Sequence, residues 1–101
     1  MRDIGACISP FNSWCLIQGL ETLPIRMKHQ SESAQKVGNF LESHPQVAWL
    51  NYPKLESHPT SHLVPKYFRD GLGGAMVVFG IKGGRPSGMH FIEKLGEYFL
   101  F

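Results

Sequence analysis

Between Phe11 and Leu20 the apolar residues Phe11, Trp14, Cys15, Ile17 and Leu20 occupy most of a helical circumference, a pattern that predicts burial on more than one side. Ser9-Pro10 supplies the start. A serine can accept from the open backbone N–H groups, and a proline suits the first helical position because its torsion is fixed and its N–H is not needed there. The expected helix runs from about Pro10 to Leu20. Next, Leu23, Met27, Ala34, Val37 and Leu41 recur at helical spacing and predict one apolar stripe. This second helix is capped by Thr22, tolerates Pro24 in its first turn, and continues to about Ser43 before Pro45 ends it. Lys28, Glu32, Gln35, Lys36 and Asn39 lie opposite the stripe as a solvated face.

The stretch from Val47 to Tyr52 is rich in strand formers and closes at Pro53, which predicts a strand. Residues 54–60 are expected to form a loop. A short helix around His62 to Phe68 is limited to one or two turns by Pro65. Ala75 to Ile81 is apolar on both faces, which predicts a strand covered on both sides. The break at Lys82-Gly83-Gly84-Arg85-Pro86 leads to a last helix starting near Ser87, with Phe91, Ile92, Leu95, Tyr98 and Phe99 on one side. The apolar ending Leu100-Phe101 is expected to be an interruption rather than a natural tail. Two strands are too few for an independent sheet, so the order helix, helix, strand, helix, strand, helix predicts an incomplete two-layer α/β domain.

Composition narrows the function classes. A chain of 101 residues is one domain or a piece of a larger one, and 43% hydrophobic against 18% charged residues is globular composition, not disorder. A net charge of +2 is too small and too dispersed for a nucleic-acid face. No apolar run approaches the roughly 20 residues of a membrane span, and Met1-Arg2-Asp3-Ile4 lacks a basic signal region, so a cytoplasmic setting is expected. Cys7 and Cys15, set among apolar neighbours, are expected to be small buried hydrophobes.

Each piece of candidate chemistry has a plainer explanation. The turn from Lys82 to Gly88 follows a strand and opens a helix, a context suited to phosphate, but it matches neither the P-loop nor the three-glycine dinucleotide spacing. A strand-to-helix turn through Gly83, Gly84 and Gly88 is the expectation. His58 and His62 are four apart, yet no third ligand is spaced to help them, and His44 lies beyond a strand. Neither cysteine has a base or cation nearby in sequence to activate it. Asp3, Glu21, Glu56, Asp70 and Glu97 are scattered, and no carboxylate pairing follows from them. From the residues themselves, no active site emerges.

Residues 2–14 (Arg2-Asp3-Ile4-Gly5-Ala6-Cys7-Ile8-Ser9-Pro10-Phe11-Asn12-Ser13-Trp14) and the run Gln18-Gly19-Leu20-Glu21-Thr22-Leu23-Pro24-Ile25-Arg26-Met27 carry a resemblance. They resemble the segment after the lysine region in the Cys/Met-metabolism family of pyridoxal-phosphate enzymes, in the form typical of O-acetylhomoserine sulfhydrylases. Gln18 and Glu21 favour that subgroup over methionine gamma-lyase and the cystathionine enzymes, which tend to carry basic residues there. The likeness continues through His44 to Pro53, Ser57-His58-Pro59, Lys66-Tyr67, Gly73-Gly74-Ala75 and Lys82-Gly83-Gly84. Pro65 departs from it, and so does the ending from Gly96 to Phe101, which stops before the family's downstream active-site segment.

The resemblance implies an aspartate-aminotransferase-like (fold type I) architecture, in which a large domain holds the cofactor and a smaller C-terminal domain closes over the substrate. Residues 1–22 would be the interdomain connecting helix region and residues 23–101 an incomplete C-terminal small domain. The implied reaction eliminates acetate from O-acetylhomoserine and adds sulfide to give homocysteine, with pyridoxal 5'-phosphate as electron sink. The implied partner is the large domain of the same enzyme, in a homo-oligomer. Lys28, Lys36, Lys54, Lys66, Lys82 and Lys94 all lack the neighbours of the family's Schiff-base lysine. Arg2, Arg26, Arg69 and Arg85 do not match its carboxylate-binding arginine, which lies further downstream. No catalytic, cofactor-binding or metal residue is therefore assigned, and the span alone is expected to bind no cofactor. A related cystathionine gamma-synthase, cystathionine gamma-lyase or methionine gamma-lyase is the alternative within the family. Outside it, the alternatives are a non-enzymatic interaction module using Phe11, Trp14 and Leu20, and a small phosphate-binding domain using Gly83, Gly84 and Gly88.

Overall fold

The computed structural model describes Gly5 and residues 7–96. Helix α1 (Pro10–Glu21) begins where Ser9 Oγ accepts from the N–H of Asn12, as a serine N-cap should. Helix α2 (Leu23–Glu42) follows after the single residue Thr22 and ends three residues before Pro45. Strand β1 (Val47–Asn51) pairs antiparallel with β2 (Val78–Ile81), through Trp49 opposite Gly80 and Asn51 opposite Val78. The register slips between Val47 and Trp49, so Ala48 is an extra residue on β1. Between the strands lie a 3-10 turn (Ser61–Leu63), the four-residue helix α3 (Val64–Tyr67) and a second turn (Arg69–Gly71). Helix α4 (Gly84–Lys94) completes the described structure.

The core is small and sits where α2 crosses the end of β1. Ala34, Tyr52 and Leu55 are buried together, with Leu50 and Val77 packed against them. Tyr52 has no exposed surface, and burying such a side chain contributes on the order of 2–3 kcal/mol. Its hydroxyl lies 3.1 Å from the carbonyl oxygen of Gly74 and 3.3 Å from that of Ser31, within donating reach of both. One side chain thus joins α2, the end of β1 and the loop before β2. Close approach here depends on small residues. A Cβ on Gly73 would stand 2.6 Å from Lys54 Cβ and 2.8 Å from the Tyr52 hydroxyl, and one on Gly38 would press on the Tyr52 ring.

Several expectations need correction. The buried side of α2 is Ser31, Ala34 and Gly38, with Met27 and Leu41 half-buried, whereas Val37 is 49% exposed. Small residues take the buried positions because a large aromatic ring lies against them. Helix α1 buries nothing: Phe11 is 69% and Trp14 56% exposed, because no described element covers its outer faces. For the same reason Cys7 and Cys15 are exposed free thiols, not buried hydrophobes. Strand β2 starts only at Val78, and that residue and Met76 are exposed, so the strand is not covered on both sides. Helix α4 opens at Gly84, earlier than Ser87, because Pro86 is accommodated in its first turn. Phe91 and Ile92 on α4 are exposed, while Tyr98 and Phe99 lie outside the described residues.

Gly73→Ala should cost about 1–3 kcal/mol in a urea melt, because Lys54 Cβ and the pinned Tyr52 hydroxyl cannot yield. Gly80→Ala should cost distinctly less, since the indole of Trp49 that its Cβ would strike is exposed and can swing away. Burial pushes the Tyr52 phenol pKa up from its usual value of 10.0. The folded state then holds this proton more tightly than the unfolded chain does. Stability is fully present below the unfolded value and falls as pH rises through it toward the raised folded one. In Tyr52→Phe that alkaline loss should disappear from a pH series of melts. At neutral pH the same variant should be weaker by about 1–2 kcal/mol, from the loss of the one hydroxyl donor that the Gly74 and Ser31 carbonyls share.

Candidate functional site

Two depressions and one open helix stand out on the described surface. The first depression, about 660 Å³, lies between the end of α2, the sheet and α4. Phe40, Leu41, Val47, Phe79, Ile81 and Phe91 form its apolar wall, and His44, Lys82, His90 and Lys94 also line it. Phe79 and Phe91 meet edge to face, with ring centroids 5.8 Å apart. The amine of Lys82 donates to the carbonyl of Pro45 at 2.6 Å, which ties the start of the glycine turn to the approach of β1. The second depression, about 890 Å³, lies between the first half of α2 and residues 68–74. Leu23, Met27, Phe68 and Leu72 share it with Lys28, Glu32, Lys54, Arg69 and Asp70, so its charges are mixed in sign. Ser31, whose Oγ is buried with no hydrogen-bond partner among the described residues, belongs to the same lining.

The features singled out in the sequence do not converge on either depression as a reaction centre. Gly83 and Gly84 take φ values of +93° and +68°, so the turn before α4 is one that side chains would strain. Both ring nitrogens of His58 are engaged by neighbours other than His62. Its Nε2 lies 2.9 Å from Asn51 Oδ1, and its Nδ1 accepts from the N–H of Thr60. Among the described residues no three His, Cys, Asp or Glu side chains gather as a metal site. No described helix is long and apolar enough to cross a membrane.

The cofactor implied by the resemblance can be tested against these side chains. Pyridoxal phosphate needs a lysine sheltered enough to hold an imine, a carboxylate for the ring nitrogen and a cup of donors for its phosphate. All six lysines are exposed. Lys82 is held by Pro45, and Lys66 lies over the ring of Tyr67 with its amine 5.2 Å from the centroid. The depression beside Lys82 and Lys94 has no carboxylate in its lining. No described lysine offers the sheltered amine that the cofactor needs.

What the geometry does offer is surface. Phe11, Trp14, Leu16, Ile17 and Leu20 project from α1 into solvent, with the rings of Phe11 and Trp14 5.9 Å apart. Periodicity signalled burial for this helix, and nothing among the described residues covers it. The depressions left no signal in the sequence, because each gathers residues from three or more separated segments.

Known proteins give this surface a context. The chain is 47% identical over 100 residues to O-acetyl-L-homoserine sulfhydrylase of Leptospira meyeri, a match that covers 99% of this chain and 23% of that protein. In structure it is similar to a protein described as an O-acetylhomoserine (thiol)-lyase from Campylobacter jejuni, which carries a pyridoxyl-lysine monophosphate. The TM-score is 0.73 and the identity 44%, covering 80% of this chain and 20% of that one. It is also similar to cystathionine gamma-lyase from yeast, with a TM-score of 0.77 and 44% identity, covering 81% of this chain and 21% of that one. The chain therefore spans about a fifth to a quarter of these relatives and shares their fold type I architecture over that span. The family model for Cys/Met metabolism PLP-dependent enzymes matches residues 1–99, and the chain belongs to that family.

Proposed function

We propose that the chain is one part of an enzyme that makes homocysteine from O-acetylhomoserine and sulfide, and that this part supplies packing and interdomain surface rather than catalytic groups. The carrying observation is the 47% identity to the Leptospira sulfhydrylase over 99% of the chain. In this reading residues 1–22 are the connecting helix region, and residues 23–101 are the first part of the small domain. The open faces of α1 meet the large domain of the same enzyme, which supplies the cofactor lysine, in a cytoplasmic homo-oligomer. The exposure of every lysine supports a span that binds no cofactor alone.

The likeness to yeast cystathionine gamma-lyase, with its TM-score of 0.77, favours a second reading in which the whole enzyme is a gamma-lyase. A chimera separates the two. The 101 residues would replace the matching segment of the Leptospira enzyme, and the product would be assayed for homocysteine synthesis and for cystathionine cleavage. Retained synthesis supports the sulfhydrylase reading, whereas a folded chimera that gains cystathionine cleavage supports the lyase.

The purified chain provides two further tests. Mixed with pyridoxal phosphate and reduced with borohydride, it should show no stoichiometric imine and form no homocysteine. A stoichiometric imine on one lysine would overturn the catalytically empty reading. Light scattering should show concentration-dependent self-association, reduced in Ile17→Glu, because α1 leaves a contiguous apolar surface in water. A monodisperse monomer with a cooperative melt would show that this surface needs no cover.

A further inference from the structure

The direction in which α1 leaves α2 is fixed by very little. Thr22 is the single residue between them, with φ −101° and ψ 0°. Pro24 has no N–H to give to the carbonyl of Leu20, so the helical ladder fails at this point. The last turn of α1 carries no basic residue, and α2 is its principal packing partner. Its negative helix end would be left to water.

Arg26, one turn into α2, reaches back across the break. Its Nη2 donates to the carbonyl of Gly19 at 2.6 Å and its Nε donates to Thr22 Oγ1 at 3.2 Å. The first bond satisfies a carbonyl in the last turn of α1 with a charged donor, and the cation lies at the negative end of the α1 dipole. The second occupies the Thr22 hydroxyl, which makes no cap bond of its own to α2. A guanidinium is suited to this because its donors are fixed in one plane. A lysine is a point charge on a flexible stem and cannot fix two acceptors in the same way.

We propose that Arg26 is a positioning residue: its fork clasps Gly19 and Thr22 and so sets the angle at which α1 is presented by the rest of the chain. The benefit to an enzyme rests on the reading of α1 as an interdomain connection. The clasp itself does not.

Pulsed electron spin resonance on the full 101-residue chain tests it, with the doubly labelled protein diluted into excess unlabelled chain so that only distances within one molecule are read. One spin label sits at Cys15 on α1, with Cys7→Ser to make it unique, and the other at Lys36→Cys on the exposed side of α2. The parent should give one narrow distance distribution. Arg26→Ala should lose it, Thr22→Val should broaden it partly, and Arg26→Lys should fall between Arg26→Ala and the parent. The melting transition should stay unchanged in all three, since the core around Tyr52 lies elsewhere. A distribution in Arg26→Ala that superimposes on the parent overturns the proposal. So does broadening that appears only with a lost cooperative melt, which would mark general unfolding. Neither result bears on the sulfhydrylase reading, whose failure shows in the chimera assay.

Discussion

A single phenol oxygen stands where three segments of this chain meet. Tyr52 follows β1 directly, its ring lies against α2 beside Gly38, and its hydroxyl reaches the carbonyls of Ser31 and Gly74. The two-stranded sheet could not hold this arrangement, because an isolated pair of strands is marginal in water. The sheet is instead anchored by a large side chain buried among small residues. The 73–74 glycine pair permits the loop to come within hydrogen-bond reach. The rest of the architecture radiates from this point, and the parts furthest from it, α1 and the outer face of α4, are the least covered.

Much of this was legible in the residues. Ser9-Pro10 marked the start of α1, the periodicity from Leu23 to Leu41 gave α2, and Pro53 closed the strand from Val47. Pro65 limited the middle helix to four residues. The errors share one cause. Periodicity reports which side of an element is apolar, but not how close its neighbour comes. On α2 the approaching ring selected Ser31, Ala34 and Gly38 for burial, and Val37, more apolar than all three, was left in water. Cys7, Cys15 and Trp14 were expected inside because of their chemistry, yet burial also needs a covering surface.

That distinction also explains why candidate chemistry was so sparse. The glycine turn at Gly83 and Gly84 and the histidines at 58 and 62 have structural settings: a strained reversal before a helix, and a ring held between Asn51 and Thr60. What remained unread were relations across the chain, such as the lysine-to-carbonyl tie from Lys82 to Pro45 and the reach of Arg26 over the Thr22 junction. Each is polar, exposed and built from residues that any solvated face could carry. No spacing rule distinguishes them.

The junction at Thr22 also works as a lever. Helix α1 has 12 residues, so at 1.5 Å per residue it is about 18 Å long. A change of only about 10° at its base therefore carries its far end about 3 Å, nearly the width of an atom's contact shell. Whatever surface receives Phe11 and Trp14 is thus metered by two hydrogen bonds at the opposite end of the helix. Precision there is inherited from the base, not made at the tip.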